Sequence, residues 1–237
     1  MFIPIGDEQT LERKRAYVTY LLLGINLVVF FFLQRFGRNL EFTFAYGMIP
    51  EEIISGTDLT AISLGGREFS IPATPFPVYL TLLTTLFLHG GLFHLLGNML
   101  YLWVFGDNIE HAFGHLRFLL FYLTAGAASL IVQIIVLVAA GGPLETITIG
   151  ASGAVSAILG AYIVLFPRRR VVVLFIWLPL SFPAYGAIGI WIVFQVLRGL
   201  VTTGGAVGGV AYSAHIGGFI LGVITALIFR RLGKKTG

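Results

Sequence analysis

Ser152 stands in Gly150-Ala151-Ser152-Gly153, near the start of one apolar run, and His215 in Ala214-His215-Ile216-Gly217-Gly218, at the head of another. Ionisable and strongly polar side chains are costly where lipid would surround them, and those that persist mark function. The two types suit acyl transfer, in which a serine hydroxyl needs a base within hydrogen-bond reach and imidazole is the usual one. His94 and Asn98, four residues apart in a third apolar run, share one helix face. With the backbone N–H of Ser152 at a helix start they are candidate donors to the oxyanion of a tetrahedral intermediate. Gly150 and Gly153 leave the backbone beside the serine open to close approach by a substrate peptide. Neither run carrying Ser152 and His215 holds an aspartate or glutamate, so the constellation reads as a Ser–His dyad rather than a triad.

Taken singly, each residue has a plainer reading. A serine in a membrane helix commonly bonds its own i−4 carbonyl, a histidine serves packing or a proton relay, and an asparagine acts as interhelical glue. The joint placement of all four favours catalysis. His89 is read as a structural residue of the loop before the His94 helix. His111 and His115, spaced i and i+4, are read as a solvated helix end rather than a metal site. Glu110 is expected to bond backbone or Arg117.

The elements that must position these groups follow from composition. Hydrophobic residues make up 57% of the 237 and charged residues 11%, too few charges to clothe a soluble domain. The expectation is an all-α polytopic membrane protein, folded as one domain over residues 1–237. About 20 apolar residues cross a bilayer, and six spans are assigned: Ala16 to Leu33, Leu92 to Val104 with its flanks, Phe118 to Ala140, Ile149 to Phe166, Pro183 to Leu200 and Val210 to Phe229. The run Val78 to Leu88 is too short to cross and is placed as a short interfacial helix. The stretch from Val171 to Pro183 is placed at the interface. Residues 34–91 form a long first loop lying on the membrane, 1–15 a leading segment and 230–237 a basic tail.

Charge orients this bundle. Arg13, Lys14, Arg15, Arg117, Arg168, Arg169, Arg170, Arg230, Arg231, Lys234 and Lys235 fall on one side, and Arg35, Arg38, Arg67 and Arg198 on the other. The positive-inside rule then puts both termini in the cytoplasm, with the membrane expected to be a bacterial inner membrane. The net charge of +4 reflects these cationic ends and gives no reason to invoke nucleic acid. With no cysteine in the chain, thiolate nucleophiles and disulfides are excluded. Counted from the outer side, Ser152, His215, His94 and Asn98 all fall one to two turns inside their spans, at one depth. Small residues at Ser152, Ser156 and Gly160, and at Ala214, Gly218, Gly222 and Ala226, form two stripes suited to close helix contact.

At these residues the chain resembles the rhomboid intramembrane serine proteases. The matching pieces are His89-x4-His94-x3-Asn98, Gly106-x3-Glu110-x3-Gly114, Gly150-Ala-Ser152-Gly153 and Ala214-His215-x-Gly217-Gly218, with Gly47-Met48-Ile49-Pro50 after the first span. The resemblance implies a six-helix rhomboid-like bundle, Ser152 as nucleophile, His215 as base, His94 and Asn98 as oxyanion donors, and structural roles for Gly106, Glu110 and Gly114. Many rhomboids carry a tyrosine four residues after the serine, stacked on the histidine. Here that position is Ser156, so orientation of His215 must come from elsewhere, with Tyr212 and Tyr162 as candidates. The first loop also lacks the family's frequent Trp-Arg pair.

The expected activity is endopeptidase cleavage in or near transmembrane segments of single-span substrates within the lipid bilayer, without a cofactor. A zinc protease would need His-Glu-x-x-His, and Glu110-His111 has the wrong order and spacing. An aspartyl mechanism needs two intramembrane aspartates, and Asp7, Asp58 and Asp107 are placed outside the span interiors. The alternative is a non-catalytic rhomboid-like chaperone or trafficking factor that binds transmembrane helices. The loop 199–209 is a candidate lid and the fifth span a candidate gate.

Overall fold

Each of the six apolar runs folds as a helix, because inside a bilayer a backbone must satisfy its own hydrogen bonds. A computed structural model of the chain describes residues 2–8, 15–64, 66–201 and 211–233. Arg13, Lys14, Lys234, Lys235 and most of the candidate lid lie outside the described residues. The chain opens with strand β1 (Phe2–Asp7), then α1 (Tyr17–Val28), which continues in a π-helical turn over Val29–Leu33. The first loop carries α2 (Leu40–Tyr46), α3 (Pro50–Ser55), the hairpin β2 (Ala61–Leu64) and β3 (Arg67–Ser70), and short helical turns over Val78–Phe87 that include α4 (Thr81–Thr84). There follow α5 (Leu92–Phe113), α6 (His115–Ala140), α7 (Ser152–Leu165), the strands β4 (Arg170–Phe175) and β5 (Leu178–Pro183), α8 (Ala184–Val201) and α9 (Tyr212–Gly233).

By length and composition α6, α8 and α9 are able to cross a membrane, and α5 makes a fourth span if taken with Val78–Phe87, from which it is bent by 81°. The helices over Tyr17–Leu33 and Ser152–Leu165 are apolar but shorter. All six expected helices are thus present, while three or four of them meet the length of a span. Large apolar side chains face outward around the bundle, among them Phe32, Phe93, Trp103, Ile135, Val193 and Leu197. That surface suits lipid and would be a liability in water.

Two small sheets accompany the helices, and neither is expected from the sequence. β1 pairs antiparallel with β4, and β4 with β5, giving the order β1-β4-β5. The segment read as an interfacial stretch is therefore a hairpin. Val171 and Val173 turn inward and are buried while Val172 and Leu174 are only partly covered, the alternation expected of a strand with one face on a core. At this end Asp7 accepts hydrogen bonds from Asn108 (3.0 Å) and Tyr162 (2.6 Å), and Arg169 donates to Asn108. Asp107, whose side chain accepts from Asn108 at 2.8 Å, lies inside α5 and is buried. It stands six residues before the end of α5, in a polar cluster centred on Asn108 that also gathers Asp7, Tyr162 and Arg169.

α7 occupies the centre. Every residue from Gly153 to Tyr162 is buried, as expected of a helix that is apolar and small on all sides. Its tightest seam is with α9. A Cβ at Gly218 would overlap the Gly153 carbonyl, one at Gly222 the Ala157 carbonyl, and one at Gly160 the Phe219 carbonyl. The two small stripes therefore meet, and because Gly153 pairs with Gly218 and Ala157 with Gly222 the helices run parallel.

The other joint is built on Glu110. Its carboxylate accepts from the backbone N–H of Val18 (2.9 Å) and Thr19 (2.7 Å) and from the Thr19 hydroxyl (2.7 Å), so an anion sits at the N-terminus of α1, where the helix dipole favours it. His115 Nδ1 lies 2.5 Å from the same carboxylate. The expected backbone contact of Glu110 is found. His115 has a half-exposed side chain but belongs to this joint rather than to a merely solvated helix end. Gly114, at φ +82°, supplies the left-handed turn through which α5 passes directly into α6.

Candidate active site

Ser152 is the first residue of α7, and the peptide leading to it is fixed. Gly150 N–H donates to the Thr85 carbonyl (3.0 Å), and the Thr85 hydroxyl to the Thr148 carbonyl (2.5 Å). Gly150 takes φ +129°, a region that L side chains rarely adopt. A Cβ there would also stand 2.7 Å from His94 Nε2 and 3.8 Å from Asn98 Nδ2. Thus both expected oxyanion donors from α5 face the turn two residues ahead of Ser152.

The two donors are available. His94 Nδ1 accepts from Gly90 N–H at 3.4 Å, and a neutral imidazole that accepts at one nitrogen carries its proton on the other. Its Nε2–H therefore points toward Gly150. Asn98 is buried, and its Nδ2 has no hydrogen-bond partner among the described residues. A buried donor left unpaired costs roughly 1–3 kcal/mol. N–H groups in the first turn of α7 likewise have no acceptor within their own helix.

His215 reaches the site along the α7–α9 seam. It lies three residues before Gly218, and Ser152 one residue before the Gly153 that Gly218 packs on, so parallel packing puts the two within about one helical turn of each other along the seam. The start of α9 is secured from α6, where Gln133 Oε1 accepts from Ala214 N–H (3.2 Å) and from the Ser213 hydroxyl. Tyr212 meets the His215 ring edge-on at 6.1 Å between centroids, and Trp191 lies at 6.3 Å, tilted by 30°. His215 Nδ1 is 2.9 Å from Gln195 Oε1 on α8.

Of the two tyrosines expected to orient His215, Tyr212 is in place and Tyr162 is not. The hydroxyl of Tyr162 is bonded to Asp7 at the far end of α7, and its ring packs edge-on against Phe105. Ser156 donates to its own helix, at the Ser152 carbonyl, 2.6 Å away. His89 is fully buried, and its backbone N–H donates to Gln34 Oε1 (2.9 Å) while its carbonyl accepts from Gln34 Nε2 (3.2 Å), which ties the end of α1 to the loop before α5. Gln133 and Gln195 are not anticipated from the sequence. The signal for both is a lone amide in an otherwise apolar helix, which must find a partner inside the bundle.

A family model described as "Rhomboid domain" matches residues 77–232, the stretch that holds all four site residues. The chain is 29% identical over 213 residues to "Rhomboid protein 1, mitochondrial" of Saccharomyces cerevisiae, covering 87% of this chain and 51% of that one. It is 30% identical over 217 residues to "Rhomboid protease GluP" of Bacillus subtilis, covering 91% and 35% respectively. With the human "Presenilin-associated rhomboid-like protein, mitochondrial" it shares 33% over 147 residues, covering 60% and 36%. The matches thus span about half or less of these relatives' own lengths. Fold, family model and relatives agree that this chain belongs to the rhomboid family.

Proposed function

We propose that this protein is an intramembrane serine endopeptidase that hydrolyses peptide bonds in or near transmembrane segments of single-span membrane proteins. The observation that carries this reading is the unpartnered Asn98 Nδ2, which with His94 Nε2 faces the glycine turn entering Ser152. Donors left unpaired are poised for charge that develops only in a transition state. Interhelical glue would have a partner.

Ser152 Oγ attacks the scissile carbonyl as His215 takes its proton. The carbonyl oxygen, now negative, receives hydrogen bonds from Asn98, His94 and the first-turn N–H groups of α7. Collapse expels the amine, to which His215 returns the proton, and water then hydrolyses the acyl-enzyme by the same base. A substrate helix must unwind to present its carbonyl, so segments with glycine or proline give way most readily. In this reading the basic residues set the orientation, with both termini on the cytoplasmic side and the start of α7 facing outward.

The test is hydrolysis of a panel of single-span substrates by the purified protein in liposomes. Ser152→Ala should abolish cleavage and labelling by a fluorophosphonate while leaving melting unchanged, since alanine fits the small stripe. Cleavage retained by a clean Ser152→Ala preparation would overturn the assignment. Binding of the substrate helix without hydrolysis by the parent protein would favour the chaperone alternative. Because the chain has no cysteine, Ser55→Cys and Arg231→Cys test the sidedness: an impermeant thiol reagent should reach the first from outside and the second from the cytoplasm.

A further inference from the structure

We propose that Gln195 is the positioning residue for His215, holding its ring in the tautomer that leaves Nε2 free to act as the base. The inference rests on the Ser–His reading above.

Helix α8 turns little of itself into the bundle. Its buried residues are Ala184, Ala187, Ile188 and Gln195, while Val193, Phe194, Val196 and Leu197 around the glutamine face outward. An inward amide in a membrane helix is costly unless it is hydrogen-bonded. Here the bond goes to His215, whose Nδ1 lies 2.9 Å from Gln195 Oε1. A carbonyl oxygen only accepts, so Nδ1 carries the hydrogen and Nε2 of the neutral ring keeps its lone pair. That is the form able to take a proton from a serine hydroxyl.

Among the described residues nothing else around the ring sets the tautomer. Tyr212 and Trp191 present aromatic surface to His215, which fixes the ring plane without distinguishing its nitrogens. Ser156, four residues after the nucleophile, is engaged with its own helix. Among the described residues no carboxylate is hydrogen-bonded to His215. The amide therefore does the orienting part of what an aspartate does in a triad, without the negative charge that would stabilise an imidazolium.

The experiment uses the full chain in liposomes with a cleaved single-span substrate, and compares the parent with Gln195→Met and Gln195→Glu. Methionine nearly preserves volume and removes the acceptor; glutamate restores it. Gln195→Met should lower kcat roughly three- to tenfold, the range one neutral hydrogen bond spans, with KM and melting unchanged. Gln195→Glu should recover that loss. Independently of activity, ¹⁵N spectra of histidine-labelled protein, with His215 assigned by difference against His215→Ala, should show the proton on Nδ1 in the parent and a tautomer mixture in Gln195→Met. A proton on Nε2 in the parent, or parental turnover by Gln195→Met, would overturn the proposal. So would lower melting in Gln195→Met with an unchanged rate per folded molecule. If the parent shows no Ser152-dependent turnover, the dyad reading fails, while the ¹⁵N result still decides whether Gln195 holds Nδ1–H.

Discussion

Asn98→Ala separates catalysis from packing, because the structure gives opposite signs to its two effects. The side chain is buried, and its Nδ2 has no partner among the described residues, so truncation deletes no hydrogen bond of that group. It relieves an unpaired buried donor worth roughly 1–3 kcal/mol and improves helix propensity by about 0.5 kcal/mol. Against this stands the lost contact of a few side-chain atoms. Melting should therefore be unchanged or raised. The rate should fall, because one oxyanion donor is gone. In a soluble serine protease that loss is about 2.7–4 kcal/mol, or roughly 10²–10³ in kcat. A smaller loss is expected here, since His94 Nε2–H and the first-turn N–H groups of α7 remain. kcat should drop more than KM rises, as befits an interaction that strengthens in the transition state. Asn98→Ala with His94→Ala should lose more than either change alone yet still label slowly with a fluorophosphonate, the dyad being intact. Melting and turnover must be read on one preparation. Lower melting with an unaltered rate per folded molecule would refute the reasoning and make Asn98 interhelical glue.

Glu110→Ala should destabilise by about 3–5 kcal/mol, since removal strands three donors of α1; a denaturation midpoint near that of the parent would contradict the joint described for it. Gly218→Val should abolish activity and lower melting, because its side chain would overlap the Gly153 carbonyl and part α9 from α7; full turnover would show that the seam does not set the dyad. Glu52, buried in the first loop, has its carboxyl pushed up by that burial, against the hydrogen bond from Leu59 N–H and with the Asp58 charge adding to the rise. A folded-state value above the unfolded one means that its stability contribution is present at low pH and is lost as pH rises through the folded value. Glu52→Gln should therefore melt higher than the parent at neutral pH and converge with it near pH 4; parallel melting curves across that range would rule this out.

What the sequence made legible follows from the range of each interaction. The helices were readable because a bilayer demands long apolar runs, and the α7–α9 seam because small residues recur every fourth position. The sheet was not, since Val171 to Phe175 is an apolar run that a buried helix would share, and only pairing with Phe2 to Asp7, some 165 residues away in the chain, makes it a strand. Type and spacing made Ser152, His215, His94 and Asn98 candidates, and His94 and Asn98 do lie beside the glycine turn that enters Ser152. Gln195 was not among them: a lone amide announces that it needs a partner without naming it, and the choice of His215 is tertiary. Tyr162 misled for the same reason, its hydroxyl being drawn to Asp7 rather than to the histidine.

The enclosure of α7 from Gly153 to Tyr162 has a consequence for membranes of different thickness. A helix that touches lipid must tilt, stretch the bilayer or snorkel when its length and the hydrocarbon depth disagree. With Gly153 to Tyr162 wholly covered by protein, that part of α7 is spared the adjustment, and most of the strain of a thick or thin bilayer falls on the outer helices. The reacting groups should then keep their mutual geometry while their depth relative to a guest helix shifts. In liposomes of graded acyl length, the probe-labelling rate should hold steady while the scissile bond in a single-span substrate moves along its sequence.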